Sequence, residues 1–508
     1  MLVAFARSPA RAADRPNIVI IYTDDQGYGD TDVLNPSAKF PTPNIDRLAR
    51  EGLTFIDGHC ADTVCTPSRY GLLTGRYCWR TTRKRGVMGA EGPGLIAADQ
   101  MTLASLLRDH GYRTAMVGKW HLGMRFGGVK GHRDWSKPVR DGPIDHGFDY
   151  FYGIPASMNY GILTYIENDR VTTPPRLWTT KKPNRIAIDD FRLMPPYRDA
   201  PYAMKLEVAP NFKDEEALGI LTRKAVAWIG DAAADARGGQ PFFLYLALTS
   251  PHKPVCPAQR FRGRSEAGAY GDFMIETDYR VGEILGALDK HGLARDTLVV
   301  FTSDNGPETT YRKRLEKFGH ASAGELRGGK RDIYEGGHRV PFLMRWPAVV
   351  AAGRSCREPV SQTDLLATFA AILGVELPAN AGEDSYSLLP ALRGEDYPRP
   401  LRGPLIHHSA AGYFAIRDGR WKLNLFRGSG GSLTPKFIEP RPGEAPYELY
   451  DLRSDIRERR NLYDEHPEIV FRLKQRATKI VTTGRSTPGR PQANDGPRWW
   501  PQLTWIER

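Results

Sequence analysis

The sequence predicts an α/β fold: a large mixed, mostly parallel sheet sandwiched by helices, followed by a small C-terminal antiparallel sheet with one helix. From residue 16 onward, short apolar runs alternate with helical stretches, which is the pattern of a mostly parallel sheet covered on both faces. After about residue 395, closely spaced short strands replace this alternation and predict a second, antiparallel unit.

Four apolar runs predict the central strands of the large sheet. Each run is too short for a helix, and together they are rich in β-branched and aromatic residues. They cover residues 17–22, 112–117, 241–248 and 297–301. Helices are predicted in the gaps, at residues 43–51, 101–110, 215–233 and 272–291, and two of them stop at a glycine.

The C-terminal unit is predicted from four short strands and one helix. The strands cover residues 404–408, 413–416, 421–425 and 447–451. A helix is predicted at residues 467–481, and the tail from residue 482, rich in proline, arginine and tryptophan, is expected to be irregular.

The composition is typical of a globular protein with a basic surface: 508 residues, 41% hydrophobic, 26% charged, formal net charge +12. No apolar run approaches the ~18 residues that span a bilayer, so we expect no membrane span. Basic residues are spread along the chain without an aromatic-studded basic run, which argues against a nucleic-acid partner. The positive charge suits anionic partners such as sulfated polymers, although a solvated basic surface is the simpler explanation.

The first 15 residues, MLVAFARSPARAADR, include an A-x-A-like stretch of the kind found before a signal cleavage site. Because they lack a charged start and a full apolar core, we interpret them as the remnant of an export signal, with a frayed terminus as the alternative. The prediction is a periplasmic or secreted protein, with a cytoplasmic location left open. The five cysteines contain no C-x-x-C pair, which disfavours zinc and thioredoxin-like chemistry.

Polar side chains capable of chemistry follow all four central strands. Taken singly, each is ordinary, because Asp and Asn form turns and a histidine at a strand end is usually a hydrogen-bonded loop residue. Because ligands of open α/β sheets bind at the carboxyl ends of strands, we expect these groups to share a site. In chain order they are Asp24, Asp25, Lys119, His121, His252, Asp304 and Asn305.

Four members of this set offer only oxygen ligands to a cation. The predicted metal ligands are Asp24, Asp25, Asp304 and Asn305. Oxygen donors that include three carboxylates favour a hard cation, calcium before magnesium, and suit zinc poorly. Carboxylates that cap turns are the alternative for any single pair.

A cysteine stands at the start of a predicted helix in the segment VCTPSRYGLLTGRY, residues 64–77. Thr66 is the expected cap and Pro67 the expected first helical residue. Cys65 then lies at the positive end of the helix dipole, with Arg69 on the same face, and this placement predicts a lowered thiol pKa. A reactive thiolate and a buried structural cysteine are the two interpretations.

The spacing Cys65-x-Pro67-x-Arg69, followed by Leu-Thr-Gly-Arg, resembles the signature of the sulfatase family. The similarity continues nearly to the end of the chain, in the family's order and without a departure at a position that carries chemistry, and is nearest to bacterial arylsulfatases and N-acetylgalactosamine-6-sulfatase-like members. The further matching blocks are Asp24-Asp25, residues 118–123, Pro251-His252, Asp304-Asn305-Gly306, residues 328–330, residues 334–337 and residues 448–451.

The resemblance implies an alkaline phosphatase-like fold and the hydrolysis of sulfate monoesters, on a sugar or a sulfated glycan. It implies calcium at the four oxygen ligands and a maturation enzyme that oxidises Cys65 to formylglycine. The hydrated aldehyde then attacks sulfur, forms a covalent sulfoenzyme intermediate and releases sulfate by elimination. The corresponding domains are an export remnant at 1–15, a catalytic domain at 16–395 and a C-terminal subdomain at 396–508.

The resemblance also implies a role for each charged residue of the site. Arg69 and Lys119 hold the nucleophile, and His121 is the general base of the elimination. His252 protonates the leaving alcohol, and Lys330 binds sulfate oxygens together with Lys119 and His252. Taken singly, the arginine and the lysines could instead be surface charges, and the histidines could be loop residues whose hydrogen bonds are satisfied.

Two other functions are compatible with the same residues. One is a phosphomonoester or phosphonate ester hydrolase on this scaffold; the other is a catalytically silent protein that binds anionic glycans and keeps Cys65 as a thiol. The long segment at residues 124–215 is assigned to the substrate pocket. Sugar contacts, with core packing as the alternative, are expected from Trp135, Tyr150, Phe151, Tyr152, Asn159, Tyr160 and Tyr165. Further candidates for the pocket wall are His132, His146, His407 and His408, whereas His338 is interpreted as structural.

Overall fold

The computed structural model describes residues 15–179, 206–397 and 400–506. The predicted export remnant, apart from Arg15, and residues 180–205 of the predicted pocket segment lie outside the described residues. The described strands are β1 (Asn17–Asp24), β2 (Leu53–Phe55), β3 (Gly58–His59), β4 (Arg113–Lys119), β5 (Gly128–Val129), β6 (His132–Arg133), β7 (Tyr150–Ile154), β8 (Ile162–Leu163), β9 (Ile166–Glu167), β10 (Arg170–Val171), β11 (Leu177–Thr179), β12 (Leu206–Val208), β13 (Phe242–Pro251), β14 (Thr297–Ser303), β15 (Phe342–Arg345), β16 (Arg354–Cys356), β17 (Val360–Ser361), β18 (Leu405–His408), β19 (Phe414–Asp418), β20 (Trp421–Asn424) and β21 (Glu448–Asp451).

The described helices are α1 (Pro43–Arg50), α2 (Cys65–Thr74), α3 (Leu103–Asp109), α4 (Asp214–Arg237), α5 (Gly268–Lys290), α6 (Tyr311–Phe318), α7 (Glu335–His338), α8 (Leu365–Leu373), α9 (Leu389–Arg393) and α10 (Pro467–Thr482). The four helices predicted between the central strands are found as α1, α3, α4 and α5. Within the described ranges, no helix combines the length and apolar character needed to cross a membrane.

The main sheet is mixed but mostly parallel. Its strands lie in the order β10-β9-β7-β4-β13-β1-β14-β15-β2-β16. Strands β7, β4, β13, β1 and β14 run parallel, and β15 is antiparallel to β14. Because β2 is antiparallel to β15 and β16 is parallel to β2, both run in the direction of β1. The carboxyl ends of β4, β13, β1 and β14 therefore meet at one edge of the sheet.

Helices cover both faces of this sheet, and β1 is buried along its whole length. Ile18 and Ile20 belong to a core that includes residues of α3 and α8. Val19 and Ile21 point to the other face, into a core that includes residues of α1, α4 and α5. A strand buried on both faces is a continuous apolar run in the sequence, which is why β1 could be predicted.

The C-terminal unit is a four-stranded antiparallel sheet, in the order β18-β19-β20-β21, with α10 packed on it. Leu473 and Ala477 of α10 share a core with Ile416 of β19 and Leu423 of β20. This arrangement, together with the mixed main sheet, confirms the predicted fold class. The domain boundary at residue 395 stays a prediction.

Candidate active site

The predicted site residues converge at the carboxyl edge of the main sheet. Strand β1 ends at Asp24 and β4 ends at Lys119. Strand β13 ends directly before His252, and β14 ends directly before Asp304. All of these side chains are buried, and the structure brings them together from four strands that are distant in sequence.

Three buried oxygen atoms at this edge mark a place for a cation. Asp24 Oδ1, Asp25 Oδ2 and Asn305 Oδ1 are buried and accept no hydrogen bond from a described residue. Asp24, Asp25 and His252 also place one potential ligand atom each within 4.8 Å of one another. Buried polar atoms without a partner are costly, so these oxygens fit a hard cation.

Asp304 is engaged by protein donors at both carboxylate oxygens. Its Oδ2 accepts hydrogen bonds from Arg69 Nη2 at 2.8 Å and Nε at 3.2 Å, and its Oδ1 accepts one from the Asp25 amide at 3.1 Å. Burial and the neighbouring Asp24 raise the pKa of Asp304 to about 6. Both lone pairs of Oδ2 are engaged by Arg69, but Oδ1 accepts a single hydrogen bond and keeps a second lone pair for a cation.

Two lysines pair with the other carboxylates. Lys119 Nζ donates to Asp24 Oδ2 at 2.6 Å, and Lys330 Nζ donates to Asp25 Oδ1 at 2.5 Å. Burial alone would raise the pKa of Asp25, but Lys330 and His252 outweigh it and bring that pKa down to about 2. With the arginine on Asp304, three acids face three bases, so the site is neutral without an ion. A divalent cation would therefore leave it positive and suited to an anionic ligand.

Cys65 is the first residue of α2, so the helix begins earlier than predicted. Val64 is the N-cap and makes no side-chain capping bond, and Pro67 is the third helical residue. The prediction that Thr66 caps the helix was wrong: its hydroxyl donates to the His121 carbonyl at 3.0 Å and accepts from the Met88 amide at 3.1 Å. Thr66 thus ties α2 to the loop that follows β4.

The pKa of the Cys65 thiol is raised, and the predicted lowering was wrong. Burial disfavours the thiolate, and the cations Lys119 and Lys330 offset this only in part, while Asp304 and Asp24 add to the rise. Without an ion in the site, the helix start and Arg69 are therefore not enough to favour a thiolate at this position. The same four charges place Cys65 beside the candidate cation ligands.

His121 presents an unshared nitrogen inside the site. Its backbone is left-handed, with φ at 63°, and its Nε2 lies 2.8 Å from the Met88 carbonyl, so Nε2 carries the proton. Its Nδ1 is buried without a hydrogen-bond partner among the described residues, and the Tyr160 ring meets the imidazole edge to face at 5.1 Å. Burial, Lys119 and Arg69 hold the pKa of His121 well below its usual value, so the ring is a neutral base.

His252 is also neutral in this environment. Its Nδ1 donates to the Lys253 carbonyl at 2.6 Å, and its Nε2 lies 3.7 Å from Asp25 Oδ2. Burial lowers the pKa of His252 to about 3; Asp25 opposes the shift and Lys330 adds to it. The role of His252 as an acid stays a prediction, because Nε2 must first gain a proton.

A charged group that sequence analysis missed borders the site. Arg331 contacts both carboxylate oxygens of Glu308, at 2.6 and 2.9 Å, and Lys253 Nζ lies 3.3 Å from the same carboxylate. The pKa of Arg331 is raised: burial opposes the shift, but Glu308 outweighs it, and Cys65 is among the further contributors. In the sequence, the position of Arg331 directly after Lys330 could have indicated that it lies near the site.

The C-terminal unit closes around the base of the site. His408 Nδ1 lies 3.0 Å from Asp62 Oδ2, and Thr63 donates its hydroxyl to the His408 carbonyl at 3.0 Å. The Arg331 amide donates to the Thr63 carbonyl at 2.9 Å, and the Ala410 amide donates to the Arg331 carbonyl at 3.1 Å. Residues 408–410, the clamp segment, therefore brace the loops on both sides of the site.

Most aromatic residues predicted to contact a sugar pack in the core instead. Phe151, Tyr152 and Tyr165 are at most 8% exposed, and the last two stack at 5.4 Å. Tyr150 donates its hydroxyl to Glu167 at 2.7 Å. Packing is the commoner role of such clusters, and of these aromatic side chains Tyr160 is the one found against a predicted catalytic residue.

A second group of potential metal ligands lies between the main sheet and the C-terminal unit: His59, Glu335, His338 and His407. The rings of His338 and His407 stack, with their centroids 3.7 Å apart and an angle of 9° between the ring planes. An imidazole lone pair lies in the ring plane, so rings stacked in this way do not both bind one ion. Lys422 Nζ lies 3.1 Å from Glu335 and 3.2 Å from His338, and we interpret the group as a buried polar network. Its other charged members are Asp57, Arg339, Arg417 and Glu458.

We expect this histidine network to make the protein acid-labile. Burial lowers the pKa of His59, His338 and His407, so the folded state binds their protons more weakly than the unfolded state does. Their contribution to the free energy of unfolding is therefore complete above pH ~6.5 and is lost below it, by up to about 1.4 kcal/mol per pH unit for each ring. Thermal unfolding between pH 7.5 and 5 measures this loss. His407→Gln should flatten the decline, and parallel declines for variant and wild type would exclude the network as its cause.

Comparison with known proteins identifies the family. Residues 16–375 match the family model described as Sulfatase, and residues 328–483 match that described as N-sulphoglucosamine sulphohydrolase, C-terminal. The N-acetylgalactosamine-6-O-sulfatase of Bacteroides thetaiotaomicron is 32% identical, over 92% of this chain and 94% of its own. Arylsulfatase A of Homo sapiens is 37% identical, over 94% of this chain and 89% of its own.

Solved structures agree with these relatives. One from work on the metabolism of multiple glycosaminoglycans by Bacteroides thetaiotaomicron is 32% identical, with a TM-score of 0.78 over 92% of this chain and 99% of its own. The phosphonate monoester hydrolase of Agrobacterium radiobacter, 21% identical with a TM-score of 0.57 over 92% of this chain and 95% of its own, shares the fold. The family model spans well over half of the chain, and the relatives cover nearly all of it. The chain belongs to the sulfatase family and is a hydrolase of sulfuric esters.

Proposed function

We propose that this sulfatase removes a sulfate ester from a sulfated sugar, with N-acetylgalactosamine 6-sulfate as the first substrate to test. The main support for this proposal is the position of Cys65. It lies at the start of a buried helix and is surrounded by the charged groups of Asp24, Asp304, Lys119 and Lys330. The choice of sugar is supported by the relative of that name, which is 32% identical over 92% of this chain.

We infer that Cys65 is the precursor of formylglycine and that the cation is calcium. Formylglycine supplies a hydroxyl nucleophile from its hydrated aldehyde, and calcium supplies charge that stabilises a sulfate ester under attack. The position of Cys65, at the start of a buried helix and beside the charges of Asp24 and Asp304, supports this role. The unpartnered oxygens of Asp24, Asp25 and Asn305 fit calcium by their donor type.

The bases of the site are placed to receive an anion. Lys119 and Lys330 lie within hydrogen-bond distance of Asp24 and Asp25, so their ammonium groups also reach sulfate oxygens held beside these carboxylates. Arg69 donates to Asp304 and to the Lys119 carbonyl at 3.0 Å, so it is oriented before substrate arrives. Buried donors fixed in this way stabilise developing negative charge without reorganising.

His121 is proposed as the general base, with Nδ1 as the atom that takes the proton. We expect His121→Ala to lower kcat by about 10²- to 10⁴-fold, the usual contribution of a positioned acid or base. Steady-state turnover of an aryl sulfate measures this effect. His110→Ala is the matched control, because His110 follows the last residue of α3 and forms a hydrogen bond with the Leu106 carbonyl of that helix. Equal rates for both variants would remove His121 from the mechanism.

Turnover of matched aryl sulfate and aryl phosphate esters tests the reaction type. We expect the sulfate to be hydrolysed faster, and a phosphate preference of several orders of magnitude would favour an ester hydrolase of the other class. Peptide mass spectrometry of protein from the native host tests the precursor role: an aldehyde at position 65 supports it, and a thiol in every molecule supports a silent glycan-binding protein.

We also propose that the protein is exported. The A-x-A-like stretch before Asp14 supports this proposal. The proposed substrate, a sulfated glycan, is consistent with it. Cell fractionation of the native host tests this, and recovery of all activity in the cytoplasmic fraction would contradict it.

A further inference from the structure

A cavity of about 980 Å³ opens between the edge of the main sheet and the C-terminal unit. Its wall combines residues that follow β2 and β16 with residues from the turns after β19 and β21. The arginines of this wall are Arg339, Arg354, Arg357, Arg417, Arg420 and Arg453. We propose that this cavity, which we call the arginine cavity, is a second binding site, and that it holds an anionic group of a sulfated glycan chain.

Two of the arginines form a rigid floor. Arg417 binds both carboxylate oxygens of Asp57, and Arg339 Nη1 lies 3.3 Å from Asp57 Oδ1. Both arginines also lie near Glu335, at 3.3 and 3.6 Å. Arg339 and Arg417 are each less than 10% exposed. The floor therefore carries fixed positive charge, which the carboxylates of Asp57 and Glu335 balance.

Other arginines of the wall have no such balance. Arg357 and Arg453 are exposed, and neither forms an ion pair with a carboxylate in the described part of the chain. Arg354 donates to the Leu392 carbonyl at 3.1 Å, and so keeps its full charge. Guanidinium groups bind sulfate and carboxylate oxygens in pairs, which makes these three side chains the expected anion contacts.

The carboxylates of the wall compete only in part for these arginines. They are Asp57, Glu325, Glu358, Glu395 and Asp396. Asp57 is held by the floor. Glu325 pairs with Arg457 at 3.3 Å and Glu395 with Arg393 at 3.5 Å, and neither of these arginines lines the cavity. Arg420 lies 3.6 Å from Asp451, so Arg354, Arg357 and Arg453 are the wall arginines without an ion pair to a carboxylate in the described part of the chain.

The arginine cavity opens at the same edge of the sheet as the active site. Strands β2 and β16 run in the direction of β1, so their carboxyl ends lie at the edge where β1 and β14 end. Two to four strand spacings separate the two places, about 10–20 Å. Tyr28, shortly after Asp25, bridges the gap: its hydroxyl donates to the Ile56 carbonyl at 3.1 Å, and the Arg339 guanidinium lies over its ring at 5.4 Å.

The size of the cavity favours a sugar chain over a free anion. Its volume is at the upper end of the ~300–1,000 Å³ of small-molecule sites, far above the ~30 Å³ that one water molecule occupies. Apolar surface from Pro359, Leu452 and Ile456 lines it beside the arginines, as the faces of a sugar require. A glycan whose sulfate lies at the active site thus extends along one edge to a second anion contact; this step rests on the proposed glycan substrate.

The test compares glycans of two lengths in a Cys65→Ala background that blocks turnover. The probes are a chondroitin 6-sulfate hexasaccharide and the monosaccharide N-acetylgalactosamine 6-sulfate, with Kd measured by calorimetry. The double variant Arg357→Ala/Arg453→Ala should raise the hexasaccharide Kd about tenfold or more and leave the monosaccharide Kd unchanged. The control, Arg264→Ala/Arg472→Ala, removes two exposed arginines elsewhere and should change either Kd less than twofold.

Each outcome decides the matter. An unchanged hexasaccharide Kd in the cavity variant would overturn the proposal, and so would equal increases in the cavity and control variants, which indicate diffuse attraction. Tight binding of inorganic sulfate that depends on Arg357 and Arg453 would overturn the glycan assignment. Binding is read without turnover, so a failure of the proposed function, seen as no hydrolysis of any sulfated sugar by the wild type, remains distinguishable. Arg357→Lys/Arg453→Lys, which keeps the charge, should recover part of the affinity.

Discussion

Replacing Cys65 by alanine is expected to lower kcat/KM for an aryl sulfate by about 10⁴-fold or more. Position 65 is the only place in the proposed mechanism where a covalent bond to sulfur forms, and loss of a nucleophile removes that route altogether. The side chain lies at the start of α2, inside the charges of the site, so no neighbouring hydroxyl is proposed to replace it. Initial rates with saturating calcium, on protein made beside a maturation enzyme, measure the loss.

The matched control for this variant is Cys78→Ala. Cys78 is also buried and forms no disulfide, but it lies in the hydrophobic core after the C-terminal end of α2. We expect it to keep wild-type activity, and near-equal melting temperatures would show that both variants fold. Substantial turnover by Cys65→Ala would refute the assignment of position 65 as the nucleophile precursor.

The second large effect is expected from Asp24→Asn. The substitution removes one of the three negative charges of the cation site and weakens the partner of Lys119, which donates to Asp24 at 2.6 Å. Charge stabilisation by a metal amounts to several kcal/mol, so we expect kcat/KM to fall about 10³-fold. Calcium affinity should fall by at least about 10- to 100-fold. Calorimetric titration with calcium gives this readout independently of activity.

The control for charge alone is Asp99→Asn, at an exposed position. It changes the net charge by the same amount and should leave both calcium affinity and turnover unchanged. If Asp24→Asn binds calcium as the wild type does, Asp24 is no ligand. Restoration of wild-type activity by magnesium at equal concentration would overturn the preference for calcium.

The central sheet was predictable because its strands are buried on both faces and the sequence carries this as continuous apolar runs. The four predicted runs end within three residues of the bounds of β1, β4, β13 and β14. Strands β2 and β16 were not predicted, because three residues contain too little of an alternating pattern to distinguish a strand from a loop. These two strands carry much of the arginine cavity.

The membership of the site could be predicted better than its electrostatics. Parallel strands bring their carboxyl ends to one edge, so the grouping of Asp24 and Asp304 follows from topology alone. The thiol pKa of Cys65 depends on how much water the tertiary structure excludes, which no local pattern reveals. Thr66 illustrates the same limit: a good capping residue took a distant partner, the carbonyl of His121.

Two neighbouring histidines show why pocket residues were hard to assign. His407 and His408 are adjacent on β18, so their side chains point to opposite faces of the strand. His407 stacks on His338, while His408 contacts Asp62, and both were expected in the pocket wall. A strand pattern predicts that the two side chains point to opposite faces. It does not predict which residues contact each face, because these partners come from segments more than 60 residues away.

The hydrogen bonds of the clamp segment have a consequence for enzyme engineering. Since Thr63 and Arg331 take part of their backbone and side-chain bonding from residues 408–410, the two halves of the polypeptide do not behave as interchangeable modules. A chimaera that joins this N-terminal half to the C-terminal half of a homologue must preserve those pairings to retain turnover, and a truncation before residue 405 should yield an inactive fragment rather than a minimal enzyme.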